Sequence, residues 1–479
     1  MNEKKSIREV LIPGSSPLIS FRILFNTGAA SDPEGKEGVA SLTAAMIAAG
    51  GSRSMTYEEI VRAMYPMATS FSSQVDKEMT VFTGSTHIDN LAAYYQIISE
   101  MLLAPGWREE DFSRLREDAI NFLKVNLRGT NDEELGKEAL YNFIYRNHPY
   151  GHHNVGTVRS LERLTLKDVR EFYNRHYSQA NLVIGIAGGF PEDFARDVNS
   201  DFASALPAGE ATFIELPEPE KIAGLRLRII EKETRGDAIS FGFPIAINRS
   251  HKDWPALLIA QSHLGQHRSS NSLLYQRLRQ IRGLNYGDYA YIEYFPRGMF
   301  FFHPDANLAR RQQIFQIWIR PVEPANSFFA LRAAFYELRK LVEQGLTEDE
   351  FEGTRQFLSK FVNVLTKTQN SGLGYAIDSD YYRIPGFTDY VRESLSRLTL
   401  KEVNRVIRDY FQADNVKIIV VTGEATAFRD AAVAGLPSPI TYASPPPAEI
   451  LEEDKLIEAY PLNLSADSVE IVPAEEVFE

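Results

Sequence analysis

The chain has 479 residues, 44% of them apolar and 24% charged, and a formal net charge of −13. That length points to about two to four domains with full hydrophobic cores, and the composition is that of a globular protein. No apolar run approaches the ~18–20 residues of a membrane-spanning helix, the acidic balance argues against a nucleic-acid partner, and the absence of Cys excludes disulfides, iron–sulfur clusters and thiolate metal sites. Met1-Asn2-Glu3-Lys4-Lys5 is not followed by a signal-type apolar core. The expected compartment is therefore the cytoplasm as the chain is written, or the periplasm if a signal peptide precedes it in nature.

Ile19, Phe21, Ile23 and Phe25 alternate as in a half-buried strand, and the polar run Ser31-Asp32-Pro33-Glu34-Gly35 ends it. Val39, Leu42 and Met46 then recur at helical spacing. A short helix is expected over 57–65, and two strands over 70–87 around the turn Gln74-Val75-Asp76-Lys77. Helices follow over 89–103, 109–126 and 132–145. The stretch His148-Pro149-Tyr150-Gly151-His152-His153 is rich in metal-binding side chains, but neighbouring His in a Pro/Gly turn point different ways, which favours a structural role. A helix over 166–176 leads into a strand over 182–188.

The clearest organisational signal is an internal repeat. Ser160-Leu161-Glu162-Arg163-Leu164-Thr165-Leu166-Lys167-Asp168-Val169 returns, 234 residues later (160 to 394), as Ser394-Leu395-Ser396-Arg397-Leu398-Thr399-Leu400-Lys401-Glu402-Val403. The register holds through Asn181 and Asn415, each of which enters a β-rich run. Thr165 and Thr399 are N-cap candidates, each with an acid three residues on to complete a capping-box-like start. A spacing of this size means two copies of one large unit. The expected division is a first domain over 1–215, a Pro- and charge-rich linker over 216–224, a second domain over 225–435, and a tail over 436–479.

In the second copy, a strand over 238–247 and a helix over 254–264 take the places of the opening strand and helix. His263 and His267 stand at i, i+4, a spacing that suits a metal on a helix face, but Gly265 weakens the helix, Gln266 stands where an acid would help, and no third ligand is evident. Further expectations are a helix over 273–281, strands over 286–294, 299–303 and 313–319, and helices over 326–344 and 347–366. From Ala425 the pattern decays into the Pro-rich stretch Ser444-Pro445-Pro446-Pro447, extended or disordered, and an acidic tail that lies along a partner or along the chain itself.

Three features carry a resemblance: the turn Pro33-Glu34-Gly35-Lys36-Glu37-Gly38 before a helix, the duplicated helix start, and Arg279 followed seven residues later by Tyr286 around Gly283-Leu284. Together they resemble the insulinase/pitrilysin-type (inverzincin, mitochondrial-processing-peptidase-like) zinc metallopeptidases, over roughly Leu11 to Glu424. In that family the first helix carries H-x-x-E-H: two His one turn apart hold zinc at ~2.0–2.1 Å and the Glu takes a proton from the bound water. Here the same frame reads Ser41-Leu42-Thr43-Ala44-Ala45. The ligand positions Ser41 and Ala45 and the base position Ala44 are degenerate. The family's third ligand, a Glu on a later helix, falls in register with residues 120–124, which are Ile, Asn, Phe, Leu and Lys, with Glu117 and Asp118 about a turn earlier. The segment Gly265-Gln266-His267-Arg268-Ser269-Ser270 is not the glycine-rich loop of the mitochondrial processing peptidases' recognition subunit.

The resemblance implies an α+β fold of two duplicated halves, each a mostly antiparallel sheet packed with helices, together forming a bowl-shaped half-chamber. It implies no catalytic residue, no metal and no cofactor in this chain, and it gives Arg279 and Tyr286 a substrate-binding role, an Arg fork and a phenol hydrogen-bonding a scissile carbonyl. The expected partners are a homologous H-x-x-E-H-bearing subunit and a peptide substrate, with a homodimer possible in isolation. Two alternatives stay open: a purely structural subunit, like the core proteins of respiratory bc complexes, and a metalloenzyme built on His263 and His267.

Overall fold

A computed structural model describes residues 7–442, 444 and 446–479. The amino-terminal Met1–Lys5 stretch, and Pro445 within the Pro-rich segment, lie outside the described residues. The first half comprises strands β1 (Arg8–Pro13), β2 (Leu18–Phe25), β3 (Ser70–Val75), β4 (Thr80–His87) and β5 (Leu182–Gly188). Its helices are α1 (Val39–Ala49), α2 (Tyr57–Met64), α3 (Leu91–Leu103), α4 (Glu109–Asn121), α5 (Asp132–Ile144), α6 (Val158–Arg163), α7 (Leu166–His176) and α8 (Phe194–Ala205). The second half contains β6 (Arg226–Glu231), β7 (Asp237–Ile245), β8 (Asp288–Tyr291), β9 (Gln313–Val322), β10 (Lys417–Thr422) and β11 (Val469–Pro473). With them are α9 (Trp254–Gly265), α10 (Pro324–Gln344), α11 (Glu348–Leu365), α12 (Gln369–Tyr382), α13 (Phe387–Arg397), α14 (Leu400–Tyr410), α15 (Ala425–Ala434) and α16 (Ala448–Glu458).

The strand order of the first sheet is β1-β5-β2-β4-β3, and that of the second is β11-β6-β10-β7-β9-β8. Apart from the added β11, each strand of one sheet has its counterpart at the same place in the other. β1 runs parallel to β5, as β6 does to β10, and the remaining pairs among these ten strands are antiparallel. The repeated helix starts are closed by matching capping boxes, Thr165 with Asp168 and Thr399 with Glu402. The fold is thus α+β and duplicated.

The two halves exchange a helix. α5 of the first half packs on β7 and β10 of the second sheet, and its counterpart α12 packs on β5, β2 and β1 of the first. Sheet faces are thereby covered on both sides, which is why β5 and β10 read as continuous apolar runs, LVIGIAG and KIIVVT, and are buried throughout. Across the same boundary, Arg310 Nε donates to Asp76 Oδ2 at 2.8 Å, and Arg311 Nε to Glu78 Oε2 at 2.6 Å. Both acids sit in or beside the tight β3–β4 turn, which is buried rather than solvated. In the second half that four-residue turn is replaced by an excursion over residues 292–312, which crosses to the first half.

Three expectations are corrected. Residues 299–303 form no strand, because they lie in this excursion, just after Arg297 takes a left-handed turn at φ +55°. The strand expected over 286–294 shortens to β8. The pattern beyond Ala425 does not decay: α15 and α16 form, and β11 joins the outer edge of β6 in parallel register, Ile471 opposite Ile229. The chain's last residues then return to the first half. Arg128 Nε donates to the Val477 carbonyl at 2.6 Å, and Val158 N–H to that of Phe478 at 3.0 Å.

Candidate functional site

The PEGKEG turn is built to aim α1. Gly38, its N-cap, has φ +96°, and a Cβ there would stand 2.2 Å from the Val155 carbonyl oxygen, so a bare backbone is required. With no side chain at the cap, Asp32 supplies the acceptors instead, taking the N–H of Gly38 at 2.6 Å and of Ala40 at 2.9 Å where the helix dipole favours a carboxylate. Lys36 Nζ reaches Asp168 of the α7 capping box, at 2.5 Å. The turn and first helix are therefore rigidly placed.

On that helix Ser41 and Ala45 share one half-buried face, while Ala44 is fully buried in the core. Opposite, α4 continues into a single π turn, Phe122–Leu127, closed by the i to i−5 bond from Arg128 N–H to the Leu123 carbonyl at 3.1 Å. This is the register of the family's third ligand. Leu123 points into the core, and Glu117 and Asp118 are exposed. A zinc ion needs imidazole or carboxylate donors converging on one point; a hydroxyl, a methyl group and an inward-facing Leu do not fit it. Among the described residues no three His, Asp or Glu side chains gather closely enough to hold a metal ion.

The three histidines of the 148–153 stretch go separate ways. His148 Nε2 meets the Pro217 carbonyl at 3.0 Å, His152 Nε2 meets Asp32 at 3.1 Å, and the His153 ring lies between Phe122 and Phe478. Burial pushes the His153 imidazole down to about 3, so it is neutral at physiological pH. His263 and His267 are also kept apart in function: α9 ends at Gly265, His263 faces Glu350 at 3.8 Å, and His267 turns into an aromatic cage. There its Nδ1 meets the Tyr291 hydroxyl at 2.8 Å, its Nε2 meets the Phe301 carbonyl at 2.9 Å, and burial lowers its pKa to about 3.

Arg279 and Tyr286 are brought together. Arg279 Nη1 donates to the Tyr286 carbonyl at 3.0 Å and to the Tyr275 hydroxyl, and its guanidinium lies 4.7 Å from the Tyr275 ring centroid and 5.8 Å from that of Tyr286. Tyr286 is 74% exposed. The residues expected as a helix over 273–281 are helical, but their last turn widens to a π turn, Tyr275–Gln280, closed from Ile281 N–H to the Gln276 carbonyl at 3.0 Å. Each half therefore carries one π turn, at the third-ligand register in the first and under Arg279 in the second. Single π turns inside helices are costly and concentrate at functional sites.

Between the halves lies a cleft of about 490 Å³. Its walls are Ser73–Val75 of β3, Phe122 and Asn126 of the π turn, Glu134 and Glu138 of α5, and Met299 and Phe300 of the excursion. β3 is the edge of its sheet and bonds to β4 alone, so its outer backbone groups are open to a further strand. Neither Arg279 nor Tyr286 lines this cleft. The acids on α5 gave no signal in the sequence, where they read as ordinary solvated charges; only three successive charges in a tight turn, Asp76-Lys77-Glu78, hinted at the buried network beside them.

Two family models match consecutive parts of the chain: "Insulinase (Peptidase family M16)" over residues 15–158 and "Peptidase M16 inactive domain" over residues 163–358. Among curated proteins, the chain is 22% identical over 370 residues to an "uncharacterized zinc protease YmxG" of Bacillus subtilis, covering 76% of this chain and 83% of that protein. It is 19% identical over 329 residues to the "non-peptidase homolog YmxG" of Helicobacter pylori, covering 68% of this chain and 71% of that protein. Among solved structures, a peptidase M16 inactive domain from Pseudomonas fluorescens superposes with a TM-score of 0.74 at 20% identity, covering 86% of this chain and 94% of that one. A protease from Helicobacter pylori gives 0.73 at 16% identity, covering 87% and 98%.

Proposed function

The chain belongs to the insulinase family of peptidases, M16, and we propose that within it this protein is the non-catalytic, substrate-binding subunit of a heteromeric zinc peptidase acting on extended or unfolded peptides. The observation that carries this reading is mismatched retention. The helix that would hold zinc is present and precisely capped but has Ser41, Ala44 and Ala45 at the working positions, whereas Arg279 and Tyr286 stand side by side, exposed, over a π turn. A partner of the same fold bearing H-x-x-E-H would supply the metal. This chain's own residues would bind and orient: β3 holds an extended peptide by strand addition, and the Arg279 guanidinium and Tyr286 hydroxyl donate to the carbonyl oxygen on which negative charge develops.

The test is reconstitution with such a partner. Neither chain alone should cleave a quenched-peptide library, and the pair should. Arg279→Ala should lower kcat/KM of the pair by about 10²–10³-fold, the usual cost of one oxyanion donor, and Tyr286→Phe by about tenfold or more, both with unchanged assembly by sedimentation. Full activity in both variants would leave the pair a structural feature and remove the support for this reading.

One observation favours a purely structural subunit instead. The 292–312 excursion reaches the first half beside β3 and narrows the cleft, with Gln74 Nε2 donating to the Ala306 carbonyl at 3.0 Å. Affinity purification that returns a non-peptidase assembly in stoichiometric amount would support it.

A further inference from the structure

A second cavity lies wholly within the second half, away from the inter-half cleft. It has a volume of about 110 Å³ and is enclosed by α9, α11, α13 and the excursion. Its walls are apolar, with Leu358 and Val362 of α11 and Phe387 and Val391 of α13 among them, and Phe302, 63% exposed, stands at the mouth. Three polar groups that line it have a buried nitrogen with no hydrogen-bond partner: Arg249 Nη1, Trp254 Nε1 and His303 Nδ1. Arg249 is 8% exposed and Trp254 2%.

The chemistry of these groups selects the ligand. Arg249 spends Nε and Nη2 on Glu293, at 2.9 and 2.8 Å, and its Nη1 has only the Asp378 carboxylate at 3.6 Å, beyond hydrogen-bond range. Its charge is therefore matched, while one of its donors is not. The indole N–H is likewise a donor with nothing to donate to, and each such buried donor costs about 1–3 kcal/mol until an acceptor arrives. An ammonium group would bring further donors to a site that lacks acceptors, and a carboxylate would add a third negative charge beside Glu293 and Asp378. What fits is a neutral oxygen. The volume is of the order of the ~150 Å³ apolar cavity that accepts a benzene ring.

We propose that this cavity is a binding site for a neutral carbonyl compound with one ring-sized or branched apolar group, its oxygen accepting from Arg249 Nη1 and Trp254 Nε1. A small aromatic ketone or amide has that chemistry, and so does a Phe or Leu residue of a peptide with its own backbone carbonyl. The site does not depend on the subunit role proposed above.

The test is calorimetric titration of the full chain with acetophenone, N-acetyl-phenylalaninamide and benzylammonium. Acetophenone should bind saturably at one site per chain and benzylammonium should not. Binding of N-acetyl-phenylalaninamide at least as tight as acetophenone would assign the site to peptides, and exclusion of it to free small molecules. Trp254→Phe keeps the ring and removes an orphaned donor, so the unliganded variant should be as stable as the parent yet bind acetophenone about tenfold more weakly. Val362→Phe should fill the cavity and abolish binding at an undiminished melting temperature, with Leu258→Phe from the facing helix as the alternative filling variant should that one not fold. No saturable binding of acetophenone, equal binding of benzylammonium, or unchanged affinity in Trp254→Phe would overturn the proposal.

Discussion

Single buried residues set how the molecule responds to acid. His153 and His267 are both held neutral by burial, each with its pKa lowered from 6.5 to about 3. Below pH 6.5 the unfolded chain takes up protons that the folded chain refuses, so stability falls as pH drops from about 6.5 toward 3. Each imidazole should remove about 2 kcal/mol by pH 5. Denaturant midpoints at pH 7.5, 6 and 5 would measure this. His153→Phe, whose ring keeps the stack between Phe122 and Phe478, should flatten the slope whatever it does to stability at neutral pH; an unchanged slope would show that other groups control the acid response. At the same scale, Arg279 and Tyr286 were legible from their spacing and their place around Gly-Leu. Arg249 and Trp254 were not, because an unpartnered buried donor is defined by neighbours that come from four different elements.

At the scale of elements, the exchange of α5 and α12 makes a paired prediction. Both helices carry a glycine against the opposite sheet. A Cβ on Gly136 of α5 would meet nothing nearer than Val421 Cγ2 at 3.6 Å, whereas one on Gly374 of α12 would meet Ala306 Cβ at 2.5 Å and the Arg22 guanidinium carbon at 2.9 Å. Gly136→Ala should be neutral or stabilise by about 0.5–1 kcal/mol through lost backbone freedom in the unfolded chain. Gly374→Ala should destabilise by about 1–3 kcal/mol through overpacking. Thermal melts of the two variants separate the cases, and equal shifts would mean that the two helices do not pack as described. The helices themselves were readable from apolar periodicity and capping residues, as were β2, β5, β7 and β9. The π turns were not, since an i to i−5 bond leaves no periodic mark over one turn. Nor was β11, whose five residues acquire strand character only by lying against β6.

At the scale of the whole molecule, the two halves should unfold as one unit. Each sheet is completed by a helix from the other half, the Arg310–Asp76 pair crosses the boundary fully buried, and the last six residues run from the second sheet's edge back into the first core, where Ala474, Val477 and Phe478 are buried. Calorimetry should give a single transition with matching calorimetric and van 't Hoff enthalpies. Asp76→Ala strands a buried guanidinium and should cost about 3–5 kcal/mol. Deleting residues 474–479 should lower the midpoint and split the transition, and two resolved transitions in the intact chain would contradict the coupling.

The sequence by itself determined the duplication, the α+β class, the family and the loss of the H-x-x-E-H side chains, because repeats, local periodicity and motif residues are written in one dimension. Only the tertiary structure decided which surfaces those elements cover. α5, with Glu133, Glu134, Lys137 and Glu138 in two turns, has the composition of a solvated helix, yet it is buried because the second half supplies a partner for each charge: Arg320 for Glu133, the Arg297 N–H for Glu134, the Phe295 carbonyl for Lys137 and the Tyr294 hydroxyl for Glu138. A charged residue enters a core only when its counter-group is already there, and that counter-group lies more than 150 residues away along the chain.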